Sequence, residues 1–138
     1  MTRQIILASH ERLAKGMHHT LDFIAGQQST VYDLSAYVDN QPIETTIEAM
    51  VKQFAAEDEL IIFTDMLQGS VNQKFFPYRS RPHTHLISGM NLPAVLALTL
   101  EPSADYLSGQ RVREILEEAR QQIVYVNDIQ TEADEDDE

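Results

Sequence analysis

The chain has 138 residues, 43% of them hydrophobic, with 22 acidic residues, 10 basic residues and no cysteine, so disulfides, thiolate metal sites and thiol nucleophiles are excluded. Its net charge is −12, and setting aside the six acidic residues at 131–138 still leaves −6, which argues against nucleic acid as a partner. The first apolar run is too short for a signal peptide, and none reaches the roughly 18 residues that span a bilayer. We therefore expect a soluble, cytoplasmic protein.

Short strand-like apolar runs alternate with helical periods along the chain. Helical spacing from Leu13 ends at Gly26, and a second helix starts near Asn40 and Pro42. A short helix follows the loop at 68–70 and should end at Pro77. Two more helices are predicted, one from about residue 89 and one over 109–121. Strands are predicted at residues 3–9, 30–34, 59–65, 83–88 and 123–127.

This alternation predicts βαβ units and therefore an α/β fold with three layers, a doubly wound and mostly parallel sheet, and helices on both of its faces. We expect one domain over residues 1–128. Residues 129–138 form an acidic tail with little apolar content, which we expect to be disordered.

Polar residues follow three of the predicted strands. The first strand ends at Ser9-His10, the third at Thr64-Asp65 with Gly69-Ser70 after it, and the fourth at Ser88-Gly89 with Asn91 after it. Ligands of open α/β sheets bind beyond the carboxyl ends of the strands, near the point where strand order reverses. These three loops can therefore converge on one crevice.

His10 is the candidate nucleophile. A histidine side chain titrates near neutral pH, so a large fraction of it is uncharged and nucleophilic in a cytoplasm. A carboxylate at Asp65 would bind one ring N–H, fix the tautomer and stabilise a developing imidazolium, which leaves the other nitrogen free. The alternative interpretations are an ordinary surface histidine at position 10 and a helix cap or turn residue at position 65.

Gly69 and Ser70 are candidate phosphate-binding residues. Backbone N–H groups at the start of a helix stabilise an anion, and the Ser70 hydroxyl would add a donor. A simple helix cap is the alternative interpretation for Ser70. The other histidines are His18, His19, His83 and His85, and nothing in the sequence brings them together as the three or four ligands that zinc requires. We expect neither a metal nor a cofactor.

Three blocks of the sequence resemble the mannose family of IIA components of the bacterial sugar phosphotransferase system. Residues 5–26, IILASHERLAKGMHHTLDFIAG, are similar to that family's opening strand, Ser-His-Gly and first helix. Residues 64–75, TDMLQGSVNQKF, resemble its Asp-Leu-Phe-Gly-Gly-Ser block. Residues 86–98, LISGMNLPAVLAL, resemble its Thr-Gly-x-Asn-Leu-Pro segment.

The resemblance implies a phosphoryl carrier. It places the phosphorylated residue at His10, the orienting carboxylate at Asp65 and the serine of the second block at Ser70. Members of the family accept phosphate from the carrier protein HPr and pass it to a IIB component for sugar uptake. They meet the membrane only indirectly, through the IIC and IID components. Family members form homodimers that exchange a C-terminal strand, for which residues 123–127 are the candidate here.

The sequence departs from the family pattern at two positions. Glu11 replaces the glycine that follows the active histidine, and Gln68 replaces the first glycine of the second block. A carboxylate beside His10 would repel a dianionic phosphate unless its side chain points away. The alternatives are therefore a phosphotransfer subunit of the dihydroxyacetone kinase type and a non-catalytic regulatory binding domain of the same fold. A metal-dependent hydrolase using His10, Asp65, His83 and His85 is a third.

Overall fold

The computed structural model describes residues 1–130, and the part of the predicted disordered tail at 131–138 lies outside them. The strands are β1 (Arg3–His10), β2 (Val31–Ala36), β3 (Glu59–Thr64) and β4 (Thr84–Ser88). The helices are α1 (Leu13–Ala25), α2 (Ile43–Lys52), α3 (Ser70–Phe75), α4 (Leu92–Leu100) and α5 (Gly109–Arg120). Short 3₁₀ turns lie at Phe76–Ser80 and Val126–Asp128.

The four strands form one parallel sheet in the order β2-β1-β3-β4. β1 and β3 lie at its centre and are almost entirely buried, which explains why both read as continuous apolar runs. Strand order reverses between them, because β2 lies on one side of β1 and β3 on the other. The predicted doubly wound α/β fold is confirmed, with a wholly parallel sheet.

Alternate residues of each central strand face two separate apolar cores. Ile5 and Leu7 point to the face covered by α1, α4 and α5. Ile6 and Ala8 point to the opposite face, which is covered by α2 and α3. This division follows from the two-residue period of a strand and gives the predicted helices on both faces.

The predicted strand at residues 123–127 is wrong for the described chain. Residues 123–125 are irregular, and the 3₁₀ turn begins at Val126. Backbone N–H groups here bond locally, from Ile123 to Arg120 and from Ile129 to Val126. Residues with high strand propensity form a strand only where a neighbouring strand supplies hydrogen-bonding partners.

A buried ion pair joins the amino ends of β1 and β3. Arg3 and Glu59 are directly opposite in the ladder, and their side chains form a salt bridge. The Arg3 guanidinium also donates to the carbonyl of Glu101 at 2.7 Å, and Glu59 accepts from the Leu107 N–H at 2.6 Å. This network ties the segment between α4 and α5 to the sheet.

Replacing Arg3 by alanine should lower the free energy of unfolding by about 3–5 kcal/mol, because the Glu59 carboxylate stays buried without its counter-charge. Urea unfolding of the variant measures the loss. Lys52→Ala is the control, since it removes an exposed pair with Glu48 and should leave the stability unchanged. Equal stabilities of Arg3→Ala and the wild type would contradict the expectation.

Candidate functional site

His10 is the last residue of β1, and Asp65 follows the end of β3. The two strands are neighbours, so both residues lie at the carboxyl edge of the sheet where strand order reverses. The Asp65 carboxylate oxygen Oδ2 accepts two hydrogen bonds from His10, one from the backbone N–H at 2.7 Å and one from ring Nδ1 at 2.8 Å. The fold therefore fixes both the backbone and the ring of His10 against one oxygen atom.

Asp65 sets the tautomer of His10. Burial acts to raise the pKa of Asp65, but the hydrogen bonds and the positive potential supplied by His10 outweigh it and hold that pKa below its ordinary value. An ionised carboxylate can only accept, so Nδ1 carries a proton, and in the neutral ring Nε2 keeps its lone pair. The His10 side chain is 37% exposed, which leaves Nε2 accessible to an incoming group.

Ser70 lies on the Nε2 side of the ring. Its Oγ is 3.3 Å from His10 Nε2 and 2.6 Å from the hydroxyl of Tyr37. The N-cap of α3 is Gly69 and no side chain caps this helix, so the alternative of Ser70 as a simple capping residue does not hold. Its hydroxyl is directed to the site.

Gly69 packs against the imidazole. A Cβ at this position would lie 3.1 Å from His10 Cε1, so any larger residue would press on the ring. The Gly69 N–H itself donates to the carbonyl of Met66 at 3.2 Å. Any free N–H groups for an anion therefore come from the first turn of α3, which begins at Ser70.

Buried side chains shape both loops of the site. Ser9 Oγ accepts from the Ala14 N–H at 2.7 Å, which fixes the turn from His10 into α1. Thr64 Oγ1 donates to the buried Asn72 side chain at 2.7 Å, and Asn72 donates to the carbonyl of Leu67 at 2.9 Å. These bonds hold the loop between β3 and α3 beneath His10.

The third predicted loop does not reach His10. Asn91 caps α4 by accepting from the Ala94 N–H at 3.0 Å, and Gly89 has the positive φ of 82° that glycine favours. The Met90 N–H donates to the carbonyl of Thr64 at 2.9 Å, so this loop supports the end of β3. β4 lies beyond β3, one strand further from β1, which explains the separation.

Three of the four remaining histidines, which are His18, His83 and His85, make contacts with residues other than His10. His18 pairs with Asp33, and His85 Nε2 lies 3.2 Å from the carbonyl of Leu107. His83 precedes β4, contrary to the predicted strand bounds, and stacks on Tyr106 with ring centroids 3.5 Å apart. Within residues 1–130, no group of three or more His, Asp or Glu side chains is placed to hold a metal ion.

Sequence reasoning missed Tyr37. It follows β2, and β2 pairs with β1 so that Ala36 lies opposite His10. The ring centroids of Tyr37 and His10 are 5.5 Å apart. The position of Tyr37 just after β2 could have indicated it, because the carboxyl ends of all the parallel strands lie at one edge of the sheet. This loop was overlooked because it carries no residue typical of catalysis.

Residues 4–116 match the family described as the fructose IIA component of the phosphotransferase system. The chain belongs to this family. It is also similar to a candidate phosphoenolpyruvate-dependent sugar phosphotransferase system permease from Klebsiella pneumoniae, with 39% identity, a TM-score of 0.86 and 93% of each chain covered. The resemblance to mannose-family IIA components is therefore confirmed, and proteins of this family serve phosphoryl transfer in sugar uptake.

Two further solved structures share the fold. A IIA protein associated with the fucose utilization operon of Streptococcus pneumoniae has 23% identity and a TM-score of 0.76, covering 92% of this chain and 95% of its own. A mannose/sorbose specific IIA subunit from Enterococcus faecalis has 15% identity and the same TM-score, covering 95% and 98%. No helix in residues 1–130 is long and apolar enough to cross a membrane.

Glu11 occupies the backbone conformation that the family's glycine would favour. Its φ is 53°, in the left-handed region that is unfavourable for residues with a Cβ. Its N–H donates to the carbonyl of Ala36 at 2.9 Å, which holds the turn in place despite the strain. Gln68 is not among the described residues with a positive φ, so that position does not need glycine.

Glu11→Gly should raise the free energy of unfolding by up to about 1 kcal/mol by relieving the left-handed conformation. It should also speed phosphorylation about two- to fivefold, because a negative charge beside His10 is removed. Glu11→Gln is the matched control, since it removes the charge and keeps the backbone strain. Urea unfolding and the phosphorylation time course separate the two effects, and slower phosphorylation of both variants would show that Glu11 assists transfer.

Proposed function

We propose that the chain is a phosphoryl carrier that accepts phosphate from phospho-HPr on His10 Nε2 and passes it to a IIB component. The observation that carries the proposal is the Asp65-oriented imidazole with Nε2 exposed at the switch point of the sheet. In the proposed role, the protein acts in the cytoplasm. The membrane is met only indirectly, through the IIC and IID components.

The transfer needs no group beyond the two histidines and their surroundings. The Nε2 lone pair forms a P–N bond while the P–N bond of the donor breaks, and that electron pair returns to the donor ring. The Nδ1 proton stays on His10, so the phosphorylated ring becomes a cation paired with Asp65. In this proposal, Ser70 and the first turn of α3 would donate to the phosphoryl oxygens, since Ser70 Oγ lies 3.3 Å from Nε2.

The surface around His10 suits a protein partner. Exposed apolar side chains follow three strands in the chain, with Leu13 at the start of α1 and with Tyr37, Val38, Met66 and Leu67 in the loops after β2 and β3. Clustered exposed apolar residues around a reactive group are typical of a docking surface. They support a protein as the phosphoryl donor rather than a small molecule.

The test uses the purified chain with phosphoenolpyruvate, enzyme I and HPr, followed by intact-mass analysis at neutral pH. We expect one phosphoryl group per chain, and its loss on adding a mannose-family IIB protein. The second acceptor in the assay is a dihydroxyacetone kinase subunit with its bound nucleotide. Transfer to this subunit and not to IIB would identify it as the phosphoryl acceptor in place of IIB. No phosphate on the chain, with a control IIA phosphorylated, would contradict the proposal and favour a non-catalytic binding domain.

We further infer a homodimer that uses residues 123–129. Five apolar side chains in this segment are exposed in the single chain, and these are Ile123, Val124, Tyr125, Val126 and Ile129. Within residues 1–130, β4 is an edge strand that pairs only with β3. Residues 123–127 are irregular or 3₁₀ in the single chain and would form a strand only by adding to the β4 edge of a second copy. Exchange of this segment would bury both features.

Light scattering tests the dimer with three chains: residues 1–138, 1–130 and 1–122. We expect dimers for the first two and a monomer for the third, since only the third lacks the apolar segment. The 1–130 chain is the control for removal of residues 131–138. A monomeric full chain, or a dimeric 1–122 chain, would contradict this inference.

A further inference from the structure

Two side chains line up on the Nε2 side of His10. The Tyr37 hydroxyl lies 2.6 Å from Ser70 Oγ, and Ser70 Oγ lies 3.3 Å from His10 Nε2. Asp65 completes the row on the other side of the ring, 2.8 Å from Nδ1. The row therefore connects an exposed tyrosine to the proposed phosphorylation site through one hydroxyl.

The direction of these hydrogen bonds follows from Asp65. Because the carboxylate only accepts, Nδ1–H donates to it, and in the neutral ring Nε2 is then an acceptor. The Ser70 O–H then donates to Nε2, which leaves Ser70 Oγ to accept from the Tyr37 O–H. Tyr37 thereby holds the Ser70 oxygen atom while the Ser70 O–H points to Nε2.

Tyr37 is held in place by its backbone as well as by this bond. Its φ is 66°, a left-handed conformation that is uncommon for a residue with a bulky side chain. Strained backbone of this kind clusters at functional sites. The ring lies against the imidazole, with centroids 5.5 Å apart and planes inclined by 34°, although 53% of the residue is exposed. Within residues 1–130, Tyr37 stacks on no aromatic side chain of either apolar core, so core packing does not explain the position of its ring.

We propose that Tyr37 is a positioning residue for phosphoryl transfer at His10, which rests on the carrier function proposed above. When the P–N bond forms, the Nε2 lone pair can no longer accept the hydrogen bond from Ser70. The Ser70 O–H then turns and donates to a phosphoryl oxygen. The Tyr37 hydroxyl keeps Ser70 Oγ in place during this change. Its ring also faces the imidazole as it gains positive charge, within the distance of about 6 Å at which an aromatic ring attracts a cation.

A surface role would give Tyr37 a different signature. If it only contributed apolar area for docking, its hydroxyl would not matter, and removal of the ring would raise the KM for phospho-HPr. The positioning role predicts the opposite division, with kcat lowered and KM unchanged in Tyr37→Phe. It also predicts that the hydroxyl has no effect once Ser70 Oγ is absent.

The experiment measures phosphorylation by phospho-HPr for Tyr37→Phe, Ser70→Ala and the double variant. We expect kcat to fall about 3- to 10-fold in Tyr37→Phe, which is the range for one neutral hydrogen bond. The fall in Ser70→Ala should be larger, and the double variant should match Ser70→Ala. Tyr106→Phe is the matched control, since it loses a hydroxyl bonded at 2.6 Å to the carbonyl of Glu57, close to the amino end of β3, and should keep full activity.

Each outcome decides between the proposals. A Tyr37→Phe variant with wild-type kcat, or with additive losses in the double variant, would overturn the positioning role while the wild type still accepts phosphate. A wild type that takes up no phosphate from an active donor would instead overturn the carrier function itself. Thermal unfolding of all four variants should match the wild type, because the three hydroxyls lie outside both apolar cores.

Discussion

His10→Ala is expected to abolish phosphate incorporation completely. The imidazole supplies the only nucleophile that Asp65 orients at the switch point of the sheet, and alanine leaves no atom to form the P–N bond. The ring is partly exposed and lies outside both apolar cores, so the fold should be unaffected. Intact-mass analysis after incubation with phosphoenolpyruvate, enzyme I and HPr measures the loss.

The control for this variant is His19→Ala. His19 is an exposed residue of α1, and its replacement should leave incorporation at the wild-type level. A His10→Ala protein that still gains an acid-labile phosphoryl group would show that another side chain carries it.

Asp65→Asn should slow phosphorylation by up to about 10,000-fold, the loss seen when the carboxylate that orients a catalytic histidine is neutralised. Asparagine can present an N–H₂ group to Nδ1, which would move the ring proton to Nε2 and block the nucleophile. It also leaves the phosphorylated imidazolium without a counter-charge. Rapid-quench kinetics with phospho-HPr gives the rate.

Asp105→Asn is the matched control, because this carboxylate lies in an exposed loop after α4 and should leave the rate unchanged. A rate for Asp65→Asn within a factor of three of the wild type would mean that Asp65 does not orient His10 in the reaction.

Asp65 should also make stability depend on pH. Its pKa is lower in the folded chain than its ordinary value, so ionised Asp65 favours the folded state. That contribution is fully present above the ordinary carboxyl pKa of about 4 and is lost as pH falls through the lower folded value. The stability difference between the wild type and Asp65→Asn should therefore be largest near neutral pH and shrink under acid. A difference that stays constant down to pH 2 would contradict this assignment.

The centre of the sheet could be predicted because β1 and β3 are almost entirely buried. β1 and β3 carry apolar residues on both faces, so their position along the chain is visible without a partner. The hydrophobic pattern did not predict the order of the strands. For that reason it could not place Tyr37 beside His10. The strand predicted at residues 123–127 was wrong for the opposite reason. The sequence shows that these residues are apolar, but it does not show that they lack a hydrogen-bonding partner strand in the described chain.

The charged residues at the ends of strands were the hardest to interpret. Arg3 and Glu59 are 56 positions apart, and only the register of β1 on β3 brings them together. His10 and Asp65 are separated by a similar distance along the chain and meet for the same reason. The family pattern supplied that pairing in advance, and the roles of Asp65, Gly69 and Ser70 in transfer stay predictions.

The measurement that tests the central claim most directly locates the phosphate on the histidine ring. The chain is labelled with ¹⁵N in its histidines, phosphorylated through enzyme I and HPr, and examined by NMR above neutral pH for coupling between phosphorus and ring nitrogen. We expect coupling to Nε2 of His10, with Nδ1 still protonated against Asp65. Phosphate on Nδ1 of His10, on another side chain, or absent while a control IIA is phosphorylated would contradict it.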